Sequence, residues 1–290
     1  MKRIGWVVIA VLLFLLGAWL GLLASFPGGA LARYLEGRIN HDPEFAVSIA
    51  PLRLRWNGLR SERVELKERA PGAPKTWLRL TDVRLPISLQ WVRGASLGAD
   101  LGSGHLRLYF TWAGDELDLE ELDAKVEDFT ALAGLLPLTL RGRVTGTARL
   151  RLPRDPNGLW RREVPEGLVQ LRATGMEVAD LKVAGASLPP VRLESVELSL
   201  RTARGALTIE RLVFQGDLQG SITGSIAPNL AQPAASRMNL AVRAEFRQAW
   251  INNLGDLRAV AGGFLTGGRL EGTLEGPLTS PTFNRPGERR

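Results

Sequence analysis

No cysteine occurs in the 290 residues, so disulfides and thiolate metal sites are excluded. Histidine is almost as scarce: His41 and His105 are the only two, and they lie far apart. A histidine-based metal site or a nucleophile–histidine pair therefore lacks parts. The phosphate-cradling Gly-x-x-x-x-Gly-Lys-(Ser/Thr) stretch is missing, as are a Gly-x-Ser-x-Gly elbow, a His-Glu-x-x-His pair and a calcium loop. No catalytic, cofactor-binding or metal-ligating residue is assigned, and the chain reads as a protein that is not an enzyme and needs no cofactor. Tyrosine and phenylalanine number 2 and 9 against 32 glycines, a mix that favours many short elements joined by turns over a helical bundle.

What is present is basic charge. The formal net charge is +7 and the isoelectric point about 10.4. These charges recur singly between apolar neighbours, as in Leu52-Arg53-Leu54-Arg55-Trp56, which is the pattern of a solvated sheet face. No basic stripe is interleaved with stacking aromatics, so nucleic acid is not an expected partner.

Met1-Lys2-Arg3 precedes an uncharged run from Ile4 to Phe26, with Trp6, Phe14 and Trp19 inside it. A bilayer core needs about 20 apolar residues in helical form. A cleaved signal peptide has an apolar region of about 7–15 residues, and the small-x-small site Ala30-Leu31-Ala32 lies beyond Pro27 and two glycines. The run is expected to be an uncleaved single-pass anchor, with Ile4, Trp6, Phe14, Trp19 and Phe26 in the membrane. The positive end stays in the cytoplasm, which places the bulk of the chain in the periplasm of a bacterial inner-membrane protein.

From residue 46 onward the dominant signal is alternation. Leu138, Leu140, Val144, Ala148, Leu150 and Leu152 fall on one face of a strand pattern whose other face carries Arg141, Arg143, Arg149 and Arg151. Leu106 to Trp112 and Leu240 to Phe246 alternate in the same way, and near Ser195 the phase slips as at a β-bulge. A Gly-x-(Val/Ile/Leu)-x-Gly-(Thr/Ser) core recurs at Gly142, Gly220 and Gly268 without strict spacing, a repeated strand type rather than a solenoid. The acidic cluster Asp115 to Asp123 reads as a strand with an acidic outer face, Asp118 and Glu120 alternating with Leu117 and Leu119; a carboxylate pair acting on a glycosidic bond is the weaker alternative.

The layout predicted is a cytoplasmic tail (1–3), the anchor (4–26), a helical connector (27–45), a β-rich domain (46–276) with halves 46–152 and 166–276, and a disordered tail (277–290). Helical patterns span Val126 to Leu136 and Arg247 to Gly262. The fold class is mainly β: an N-terminal transmembrane helix, then a curved, elongated antiparallel sheet, half-pipe or sandwich-like, with one or two short helices. Those helices cannot cover roughly a dozen one-sided strands. The apolar face, Leu138 to Leu152 included, must be buried by the sheet curving over itself or by something that enters it.

The anchor ending in Phe26-Pro27, the segment Val47-Ser-Ile-Ala-Pro-Leu-Arg-Leu-Arg-Trp56, the central Leu136-Pro-Leu-Thr-Leu-Arg-Gly-Arg-Val-Thr-Gly-Thr147 and the closing Gly268-Arg-Leu-Glu-Gly-Thr-Leu-Glu-Gly-Pro-Leu278 follow one another in an order that resembles the protein N family of type II secretion systems, the general secretion pathway protein N family. That resemblance covers nearly the whole chain. It implies an accessory or assembly component, anchored in the inner membrane and partnered by other secretion subunits there or in the periplasm, with no catalytic residue to carry over. A broader likeness to AsmA-like envelope proteins implies a curved β groove and adds lipid as a partner.

Overall fold

Strands alternating apolar with charged residues bury one face and wet the other only if they pair side by side, and pairing governs the structure. The computed structural model describes residues 25–40, 45–68, 76–86, 93–113, 115–129, 139–153, 164–180, 182–183, 186–229, 235–254, 268–278 and 280–285. The protein is mainly β, its strands joined in antiparallel ladders, with few helices. It divides into two compact units, Met1–Trp91 with Leu97–Asp100, and Val92–Ser96 with Leu101–Arg290.

The first unit opens with helix α1 (Gly28–Ile39), followed by β1 (Phe45–Ile49), β2 (Leu52–Arg55), β3 (Gly58–Glu68) and β4 (Thr76–Pro86). The Ala30 and Leu31 amides both donate to the Pro27 carbonyl at 3.0 Å, which starts the helix. β3 pairs with β1 along its C-terminal half, with β2 along its N-terminal half, and with β4 on its other side. The free edge of β1 does not stay open. The Ile49 amide donates to the Glu36 carboxylate at 2.5 Å, and Asn40 brackets Val47, accepting from its amide at 2.5 Å and donating to its carbonyl at 2.8 Å. Glu36 of α1 and Asn40, which caps its C-terminus, thus occupy backbone groups that would otherwise offer a template to another strand.

β5 (Gly94–Leu101) carries residues of both units. The second unit continues with β6 (Gly104–Thr111), β7 (Glu116–Lys125), a 3-10 turn (Val126–Asp128), β8 (Thr139–Arg151) and β9 (Glu166–Ala179). Next come a small hairpin, β10 (Lys182–Val183) with β11 (Ala186–Ser187), and then β12 (Val191–Ala203), β13 (Ala206–Gly216), β14 (Leu218–Ala227) and β15 (Arg237–Phe246). Helix α2 (Gln248–Asn252), β16 (Arg269–Pro277) and β17 (Thr282–Asn284) complete the unit. From β6 to β17 the strands pair in chain order, the small hairpin alone standing outside the ladder.

The structure differs from the layout expected of the sequence in two places. The chain does not part at the loop between 152 and 166: β8 and β9 flank it and pair from Thr139↔Ala179 to Arg151↔Glu166, so the halves 46–152 and 166–276 share one ladder. The tail 277–290 is not wholly disordered, because Thr282–Asn284 pairs with β16 and sets Phe283 opposite Leu274. Of the expected helices, the described residues show a 3-10 turn at Val126–Asp128 and α2 at Gln248–Asn252; the rest of Val126 to Leu136 and of Arg247 to Gly262 falls largely on residues 130–138 and 255–267, outside the described set. The bulge foreseen near Ser195 is present as a register shift between Leu193 and Ser195.

Among the described residues no helix is long and apolar enough to cross a membrane. Ile4, Trp6, Phe14 and Trp19 lie outside them. Phe26 lies inside, its carbonyl accepting from the Gly28 amide at 2.8 Å.

Candidate functional site: an apolar sheet face

Along β8 the exposure of successive residues alternates strictly, with Arg141, Arg143, Thr145, Thr147, Arg149 and Arg151 exposed and the residues between them half-buried. Leu140, Val144, Ala148 and Leu150 therefore share a face. Leu152 follows the strand end, half-buried, its amide donating to the Asp115 carbonyl at 2.8 Å. Leu138 lies outside the described residues.

Strand register extends this face across the second unit. Leu122 stands opposite Gly146, Gly146 opposite Leu171, Leu171 opposite Leu198, Leu198 opposite Leu212, Leu212 opposite Ile222, and Ile222 opposite Val242. A parallel row runs from Leu119 through Ala148, Val169, Leu200 and Ile209 to Gly224, Leu240 and Leu274. Neither row contains a polar side chain. At about 4.8 Å between strands, a row through seven strands is on the order of 30 Å long. Leu171, Leu198, Leu200, Leu212, Ile222 and Val242 are half-buried.

One end of the face is closed. Helix α2 and the turn after it bring Trp250, Ile251 and Leu254 onto Val191, against Val178, Leu188, Leu193, Leu218 and Phe246. The Trp250 ring, 5% exposed, stacks on Phe246 with centroids 4.8 Å apart, and its Nε1 donates to the Pro190 carbonyl at 3.3 Å. An indole buried this deeply needs such an acceptor.

The repeated glycine motif belongs to this face. Gly224 has φ +138° and stands opposite Leu240, and a Cβ on it would overlap the Asn239 carbonyl oxygen. Glycine there lets the neighbouring backbone come close on the side where other residues carry aliphatic chains.

The opposite face is ionic. Arg143 donates twice to the Asp123 carboxylate, at 2.5 and 2.6 Å, Arg149 Nε lies 3.5 Å from Asp118, and Arg151 lies 3.8 Å from Glu116. Arg201 pairs with Glu210, Arg243 with Glu271 at 3.0 Å and Arg269 with Glu245 at 3.5 Å. Hydrogen bonds from their partners hold several carboxyls below the usual range: Asp123 through Arg143, Glu121 through His105, and Glu210 through Arg201. The acidic cluster is thereby matched across strands to the arginines of β8, a pairing that sequence alternation left unseen because it depends on which strand lies alongside. The cluster also changes phase, with a register shift between Leu119 and Leu122 that keeps both leucines on the apolar face. Glu120 is exposed at the shift, on a different footing from Asp118.

In the first unit two carboxylates are more enclosed. Glu65, 6% exposed, takes Lys67 and Arg79 at 2.8 Å and Arg63 at 3.8 Å. Its carboxyl is held below the ordinary value, chiefly by the Lys67 hydrogen bond and against the opposing effect of burial. Asp82 adopts φ +47°, which an aspartate tolerates better than most residues, and binds both Arg84 and Arg60; those bonds hold its carboxyl low as well. Among the described residues no cluster of histidine and carboxylate side chains could hold a metal ion.

Compared with family models, curated proteins and solved structures, the chain matches none.

Proposed function

We propose that the chain is an envelope protein tethered to the inner membrane by residues 4–26, its β-rich remainder in the periplasm, where it acts as an accessory or assembly component of a type II secretion apparatus through the apolar face of its second unit. The observation that carries this reading is the pair of apolar rows running from β7 to β15 without a polar interruption. Apolar area left in water costs about 25 cal/mol per Å², so contiguous surface of this kind marks a place that something covers. The resemblance to the protein N family supplies the type of partner, another secretion subunit. Leu198→Arg combined with Leu212→Arg is expected to abolish release of exported enzymes into the medium while the protein persists in the membrane fraction. Unchanged secretion from the doubly substituted strain would refute this reading.

A second reading, an AsmA-like protein that binds or transfers lipid, rests on the chemistry of the same rows. Protein interfaces carry roughly one hydrogen bond per 100–200 Å², and the row from Leu122 to Val242 offers no side chain for one. Acyl chains need none, and each buried methylene contributes about 0.8 kcal/mol. Photo-crosslinking residues at Val144, Ala148 and Leu150 separate the readings. Capture of a protein subunit favours the first, capture of lipid favours the second, and lipid-free protein by native mass spectrometry with no lipid adduct removes the second.

A further inference from the structure

We infer that the hairpin joining β2 to β3 is a second contact with the bilayer, its Trp56–Asn57 tip seated in the headgroup zone; this rests on the reading of residues 4–26 as a membrane span. The start of α1 is fixed at the foot of that hairpin: Gly28 is buried, and a Cβ on it would overlap the Leu52 carbonyl oxygen. From there the helix and the strands diverge. α1 runs toward Val47, as the bonds of Glu36 to Ile49 and of Asn40 to Val47 show. β2 runs the other way, from Leu52 to Arg55, so the tip projects past the first residue of the helix by about 10 Å at 3.3 Å per residue. Phe26, the last residue of the apolar run, lies two residues before Gly28 and hence at this same end of the first unit.

The tip has the chemistry of an interface. Trp56 is 81% exposed, the most exposed of the large apolar side chains among the described residues. Indole is favoured where an apolar medium meets water, because its ring is apolar and its N–H needs an acceptor. Beside it, Arg53 is tied to Glu62 at 2.9 Å, whereas Arg55 makes no ion pair among the described residues. A guanidinium left open next to an exposed indole suits the phosphates of anionic lipid.

The chain has no cysteine, so single labelling sites can be introduced without first removing any. Full-length protein carrying an environment-sensitive fluorophore at Trp56→Cys, and in a second preparation at Asn57→Cys, is reconstituted into vesicles of phosphatidylethanolamine and phosphatidylglycerol containing nitroxide lipids. Labels at Leu22→Cys and Thr223→Cys serve as references inside the proposed span and on the exposed face of β14. The expected result is that headgroup nitroxides quench the labels at 56 and 57 several-fold more than the label at 223, with a blue shift of their emission. If labels at 56 and 57 behave like the one at 223 while the label at 22 is quenched by deep nitroxides, the hairpin contact is overturned and the span stands. If the label at 22 is not quenched either, span and contact both fall.

Discussion

The two faces of the second unit's sheet are made from the same strands and end in opposite conditions. On the polar face Arg143, Arg149, Arg243 and Arg269 each reach a carboxylate on the adjoining strand. On the apolar face Leu171, Leu198, Leu212 and Ile222 stand among apolar neighbours in the row and stay half-buried. Cross-strand ion pairs complete themselves within one layer, since partners about 5 Å apart suffice. Hydrocarbon does not, because its burial requires a second layer. A single sheet can therefore be finished on its charged side and unfinished on its oily side. Among the described residues, α2 supplies that second layer at one end.

The largest expected effect tests the closed end. Trp250→Ala should destabilise by about 3–5 kcal/mol, the range for truncating a buried aromatic, because it empties the contact of α2 with Val191, Phe246 and Leu254. Leu198→Ala, in the open middle, should lose only about 1 kcal/mol, since roughly half of its transfer to an apolar environment is realised. Denaturant midpoints of the full-length protein in detergent give both values. Equal losses would mean that the face is as closed in its middle as at its end.

Neighbouring residues on opposite faces provide the next comparison. Gly224→Val forces a Cβ onto the Asn239 carbonyl in a left-handed backbone and should cost about 2–4 kcal/mol. Thr223→Val, one residue earlier on the exposed side, should remain within about 0.5 kcal/mol of the parent. The same denaturant titration reads both. A tolerated Gly224→Val would show that the close approach of β14 to β15 is not required.

The alternation that separates the faces was legible in the residues themselves. Arg141 to Arg151, Leu106 to Phe110 and Leu240 to Phe246 show it strand by strand, and the bulge at Ser195 was visible as a change of phase. Partnership was not legible, because a period of two names the face of a side chain but not the strand beside it. Hence Asp123 could be read as acidic and outward, while its bond to Arg143, twenty positions later, could not. The slip at Glu120–Glu121 was hidden by the run of carboxylates, in which either phase leaves a charged residue outward. The order at Thr282–Asn284 was hidden by the prolines around it, which signal a turn while leaving room for three residues to pair along β16.

Glu65 tests the polar side where it is most enclosed. Its folded carboxyl lies below the ordinary 4.5, so the denatured chain takes up the proton first as pH falls. The stabilisation from its three cations is complete above 4.5 and is lost as the pH falls through the lowered folded value. The gap in denaturation midpoint between parent and Glu65→Gln should stay constant from about pH 7 to pH 5 and narrow below that. A gap that widens on acidification would reverse the assigned direction.

The smallest effect is expected at the exposed pair of Arg143 and Asp123, despite its short bidentate geometry. Water competes for both partners there, and such pairs contribute little to stability. Asp123→Asn and Arg143→Gln, singly and together, should leave the denaturation midpoint unchanged within error. Their consequence should appear instead in strand choice. Like charges close together across strands oppose pairing, so a charge swap, Asp123→Arg with Arg143→Asp, should refold as the parent does, whereas Asp123→Arg alone sets two arginines on the diagonal between adjoining strands, where Arg143 already stands opposite Lys125, and should slow refolding after dilution from denaturant. Equal refolding rates for the swap and the single reversal would mean that the ionic face solvates the sheet without directing its assembly. The order of the strands would then be chosen by the apolar rows alone.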